Sequence, residues 1–159
     1  MDDARVVSWQ LGRPARLFRR VAARCAYGYP AVTEQAPFGA DGEPFPTTFY
    51  LTCPWLVAGV SRVEAAGGVE RFSKAAESDH ELAESLAQAD ADQRRIRPEL
   101  PLGIAGTRKR ESLKCLHAHA AFALGRPGYE LGERVLQDVG ERWCPDARCE
   151  RALAGNGQA

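Results

Sequence analysis

A chain of 159 residues, 45% hydrophobic and 26% charged, can bury a core without disulfide staples and is too apolar for wholesale disorder. Its 21 basic and 21 acidic side chains balance to zero formal charge. No apolar run spans a bilayer, and the acidic start Met1-Asp2-Asp3 is unlike a signal peptide, so a soluble cytoplasmic protein is expected.

The first third predicts a small antiparallel sheet. Residues 17–25 and 29–36 show partial apolar alternation around the turn-forming AYGYP, which reads as a hairpin. A second connection, 36–46, contains Asp41-Gly42 and three prolines, and the β-branched and aromatic run 47–52 follows as a third strand.

At Cys53-Pro54 the period changes. Thr52 or Cys53 is the expected N-cap, Leu56, Val60 and Val63 recur at helical spacing, and Gly67-Gly68 stop the helix. Ser78 with Glu81 reads as a capping box ahead of Leu82, Leu86, Ala89, Gln93 and Ile96, with Pro98 as the stop. After a Pro/Gly loop over 98–107, a helix is expected from Arg108–Ser112 to about Leu124, then a last one over 130–143 carrying Leu131, Val135, Val139 and Trp143. The expected fold is α+β: one domain over 1–143, about three N-terminal strands packed with about four helices, and a frayed tail over 144–159.

Charge is unevenly placed. Five arginines and no acid lie between Arg13 and Arg24, whereas eight acids face only Arg71 and Lys74 between Glu64 and Asp92. Arg108, Lys109, Arg110 and Lys114 then stand against Glu111 alone. Such a bipolar molecule can hold an anion at its basic end.

The five cysteines, Cys25, Cys53, Cys115, Cys144 and Cys149, are an odd count in a chain with no export signal, which argues against a disulfide framework. Cys25, Cys53 and Cys115 fall at element ends, where functional sites gather. Cys53 sits at a helix start and Cys115 beside a basic run, both settings that favour a thiolate. Cys144 and Cys149 read as an accessory pair or incidental thiols. The stretch KCLHAH (114–119) adds two of the chain's three histidines. On a continuous helix Cys115 and His119 share a face, four residues apart, while His117 points away. The same helix is apolar around most of its circumference, which suits a buried element with hydrogen-bonded histidines.

Dispersed ligands of this kind are unlike a zinc finger's close pairs and suit a catalytic metal or an iron–sulfur site. The expected metal set is Cys25, Cys53 and Cys115 with His117 or His119, holding zinc or an iron–sulfur cluster. Arg24, Arg108, Lys109, Arg110 and Lys114 are the expected anion-binding residues, for a phosphate-containing or other anionic ligand at a helix N-terminus. Two alternatives stand beside this. One is a metal-free cysteine enzyme with Cys53 as nucleophile and a histidine as base, Cys115 and His117 being the other catalytic candidates. The other is a binding module with core cysteines, docking an anionic or cell-division-associated partner through Arg16, Arg19 and Arg20. No RNA- or DNA-reading motif is present, which disfavours nucleic acid.

The blocks RCAYGYPAV, PFPTTFYLTCP and KCLH, with SRVEAAGG between the last two, resemble in order those of a bacterial family, the domain of unknown function 501 (DUF501). The resemblance covers most of residues 10–125. Its blocks fall on Arg24, Cys25, Tyr27, Gly28 and Pro30, then on Pro44–Thr47, Tyr50 and Thr52–Pro54, and finally on Lys114, Cys115, Leu116 and His117. The resemblance implies His117 rather than His119 as a site residue. It also implies that position 53 accepts histidine, an exchange that metal ligation tolerates better than nucleophilic catalysis. Family genes lie near those for a septum-formation protein and an exopolyphosphatase, which implies a housekeeping cytoplasmic role. Before the last block the family has a glycine-rich SAGGMP, whereas this chain reads GIAGTRKRES.

Overall fold

A computed structural model describes residues 1–108 and 112–154. AYGYP closes the hairpin as expected: the Gly28 N–H donates to the Cys25 carbonyl at 2.9 Å, with Gly28 at a φ of 86° that favours glycine. The strands β1 (Phe18–Arg24), β2 (Pro30–Gln35) and β3 (Phe49–Leu51) form an antiparallel sheet in that order. Val32 of the central strand pairs with Ala23 on one side and Leu51 on the other. Ala31, Val32 and Thr33 are fully buried.

Seven α-helices surround the sheet among the described residues, so the molecule is α+β with more helix than the sequence predicts. Helix α1 (Asp3–Leu11) precedes the sheet, capped by Asp2, whose carboxylate accepts from the Arg5 N–H. Pro54 opens α2 (Pro54–Ala65) with Cys53 as N-cap. The paired glycines stop α2 and also start the next helix, α3 (Gly68–Ser78), which the sequence reading left out. The expected capping box is displaced by one residue. Asp79 caps α4 (His80–Ile96), accepting from the N–H groups of Glu81 and Leu82, while Ser78 closes α3 with its hydroxyl on the Lys74 carbonyl. The end of α4 is fixed by the buried Arg97, which donates to the carbonyls of Phe45 and Gln35 and so holds the 36–46 connection.

Three expectations need correction. Helix α5 (Leu116–Gly125) begins at Leu116, not between Arg108 and Ser112. Lys114 has a φ of 63° and Cys115 is extended, so the helical path cannot run back through them. Helix α6 (Glu130–Val139) ends before Trp143, at Gly140. The described chain beyond it, as far as Ala154, is not frayed: Cys144 and Cys149 are buried, and α7 (Glu150–Ala154) packs Ala152 against Val6 of α1. No helix among the described residues is long and apolar enough to cross a membrane.

Helix α5 is the axis of the core. Leu116 and Ala120 through Ala123 are buried, and α5 packs against β3, α2 and α6. The approach of α6 is close because residue 132 is glycine: a Cβ there would lie 2.6 Å from both the Ala123 Cβ and the His119 carbonyl oxygen. Gly132→Ala is therefore expected to push the two helices apart and to cost about 1–3 kcal/mol. Thermal melts would show this as a lowered midpoint, and an unchanged midpoint would mean that the α5–α6 contact is looser than described.

Candidate functional site

Three residues of α2 stand at i, i+4 and i+7 on one stripe: Val57, Ser61 and Glu64. That stripe faces the start of α5, where Cys115 and His117 emerge. The Leu116 N–H, at the open N-terminus of α5, donates to Glu64 Oε2 at 2.8 Å. The other carboxylate oxygen, Oε1, lies 3.3 Å from His117 Nδ1. Cys115 Sγ is 3.8 Å from the same Nδ1.

The far side of the imidazole is also fixed. His117 Nε2 lies 3.2 Å from the Val57 carbonyl and 3.1 Å from the Ser61 hydroxyl. A carbonyl can only accept, so Nε2 carries a hydrogen and Nδ1 is left to face Cys115 and Glu64. Burial alone would raise the Cys115 thiol. Its bond to His117 and the Ala118 N–H outweigh that, and the thiol sits below its usual range. The same bond to Cys115, aided by the Glu64 charge, lifts His117 above its ordinary 6.5 against the effect of burial. Glu64 Oε1, Cys115 Sγ and His117 Nδ1 thus converge, all within 4.8 Å of one another. Cys115 and His117 open onto a cleft of about 530 Å³ walled by Leu11, Tyr50, Pro54 and Ala58.

This divides the expected metal set. Cys115 joins His117 and Glu64, whereas Cys25 and Cys53 line a separate small pocket with Cys144 and Cys149. The pairing of Cys115 with His119 fails because Cys115 precedes the helix as its N-cap, so helical spacing does not relate the two. His119 is fully buried, its Nδ1 2.8 Å from the Tyr129 hydroxyl and its Nε2 2.9 Å from the Leu113 carbonyl. It is a core residue. Cys53 does lie at a helix start, but burial pushes its thiol up, and the N–H groups of Leu56 and Trp55 do not offset this. That argues against Cys53 as the nucleophile.

The expected anion site also changes. The α5 N-terminus is already occupied by the Glu64 carboxylate. Arg24 makes a two-pronged ion pair with Asp3, at 2.9 and 2.7 Å, and donates to the Gly28 carbonyl. Arg20 pairs with Glu34. Arg108 and Lys114 are exposed, and Lys109 and Arg110 lie outside the described residues.

Fold and site together define a small α+β protein with a buried-edge Glu/Cys/His group. The chain belongs to the family described as Protein of unknown function (DUF501), whose model matches residues 21–101. The matched region holds Cys25, Cys53 and Glu64 and ends before Cys115. Neither the curated proteins nor the solved structures give a match.

Proposed function

We propose that this is a metal-binding protein whose working centre is one zinc-class ion held by Glu64, Cys115 and His117. One observation carries the reading. Each of the two side chains that has a second polar atom spends it on the backbone, Glu64 Oε2 on Leu116 and His117 Nε2 on Val57, leaving the remaining donors aimed at one point. Metal-binding histidines and carboxylates are held in this way by their outer partners. Three protein ligands leave a fourth position, the arrangement of catalytic rather than structural zinc, and Cys115 and His117 turn it toward the cleft. An ion there would polarise a substrate oxygen or activate water. Lys114, exposed one residue before Cys115, would meet an anionic group on that substrate. The five unpaired thiols suit a reducing compartment such as the cytoplasm.

Zinc titration of metal-stripped protein tests this. His117→Ala is expected to remove one binding event and leave the fold intact. Binding indistinguishable from the parent protein would sink the proposal.

A metal-free cysteine centre is the second reading, favoured by the Cys115–His117 pair itself. Because His117 is raised, its contribution to stability is present below 6.5 and lost as pH rises through its folded value. Cys115 is lowered, so its contribution is present at high pH and lost as pH falls through its folded value. Both shifts favour the thiolate–imidazolium form of the pair. In stripped protein, iodoacetamide should therefore alkylate Cys115 at lower pH than an ordinary thiol, and His117→Ala should restore the ordinary profile. Identical profiles in the two proteins would remove the thiolate from consideration.

A further inference from the structure

Four of the five cysteines, from three distant parts of the chain, line one pocket beneath the hairpin. Cys25 leaves the end of β1, Cys53 caps α2, and Cys144 and Cys149 flank the turn between α6 and α7. The space among them admits about 10 Å³ of solvent, the volume of a single water-sized sphere. We infer that Cys25, Cys53, Cys144 and Cys149 form a four-thiolate site for one zinc-class ion, separate from the Glu64–Cys115–His117 centre.

The surroundings of the sulfurs offer them hydrogen-bond donors. Cys53 Sγ is served by the N–H groups of Trp55 and Leu56 at the start of α2. Gln10 of α1 donates its amide to Cys149 Sγ at 3.3 Å and to the Pro30 carbonyl at 2.7 Å. The Arg148 guanidinium stands beside Cys144. Donors around sulfur are what a metal thiolate requires of its outer partners.

The loop geometry points the same way. Cys144 and Cys149 are separated by four residues, within the spacing of zinc-binding cysteine pairs. Between them Ala147 takes a φ of 44°, which a residue with a side chain adopts only where its surroundings impose it. That turn lets both sulfurs face the pocket. Tyr27 anchors the same loop, its hydroxyl donating to the Cys144 carbonyl at 2.6 Å. No three of the sulfurs lie within 4.8 Å of one another, so binding draws them inward onto bonds of about 2.3 Å. An ion here would tie α1, the hairpin, α2 and the C-terminal helix into one unit.

The test uses the full chain purified without oxygen, with zinc and iron measured per chain and cobalt then exchanged for zinc. Cobalt in a four-thiolate tetrahedron gives intense visible bands and strong sulfur charge transfer. The double variant Cys144→Ser with Cys149→Ser is expected to lose one equivalent of metal and those bands, while the equivalent removed by His117→Ala survives. Unchanged metal content in the double variant overturns the site. So does iron with acid-labile sulfide, which would replace a single ion by a cluster. Should the double variant fail to fold, mercurial titration of His117→Ala, which retains the four-thiolate ion alone, decides the matter. Zinc release that follows the capture of four thiols supports the site, and no zinc release overturns it.

Discussion

His119→Ala should destabilise the protein by about 3 kcal/mol, a fall of roughly 6–12 °C in melting temperature for a chain of this length. The imidazole is fully buried between α5 and α6 and bridges two partners, the Tyr129 hydroxyl and the Leu113 carbonyl. Truncation opens a cavity at the axis of the core and strips both groups of that partner. The neighbouring substitution His117→Ala gives the contrast, because that ring sits at the edge of the cleft and is partly exposed. Stability should respond to position 119 and metal binding to position 117. If the two variants melt alike, or if His119→Ala alone abolishes zinc binding, the division between core and site is wrong.

Much of the fold was legible because local chemistry decided it. The AYGYP turn, the proline after Cys53 and the apolar recurrence through Leu56, Val60 and Val63 act over a few residues, and the structure follows each of them. The failures lie where tertiary contacts override local pattern. Lys114 and Cys115 stay out of the helix, Lys114 left-handed and Cys115 extended, and the Leu116 N–H takes its acceptor, Glu64, from a helix 52 positions away. Nothing within the KCLHAH stretch announces that. The tail looked frayed because its apolar content is thin, but Cys149 and Ala152 need only reach α1 and Tyr29 to be covered.

The candidate site was legible by residue type and not by grouping. Sequence singled out Cys115 and His117, and the structure keeps them together through the extended backbone at 115, not through helix spacing. Glu64 was missed, although the signal was present: Val57, Ser61 and Glu64 form a stripe on a helix already expected to bury the adjoining face. A polar residue in line with a hydroxyl on such a helix is worth pairing with any histidine that lacks a partner. The grouping of Cys25 and Cys53 with Cys144 and Cys149 depends on the return of the chain after α6, and no spacing rule reaches that far.

Glu64→Gln isolates the carboxylate's charge from its structural duty. The amide oxygen can still accept from the Leu116 N–H, so the start of α5 keeps its cap and the metal-free protein should melt within about 1 kcal/mol of the parent. Zinc affinity, in contrast, should fall by about 100-fold or more, since an anionic oxygen 3.3 Å from His117 Nδ1 is replaced by a neutral group. The same change withdraws the charge that helps hold His117 up, so the imidazole should titrate lower in the variant than in the parent. Glu64→Ala completes the comparison by removing the cap as well, at a further cost of about 1 kcal/mol. Calorimetry on the stripped proteins separates the two roles. If Glu64→Gln binds zinc like the parent while Glu64→Ala only melts earlier, Glu64 is the cap of α5 and nothing more, and the three converging side chains hold a proton between them instead of an ion.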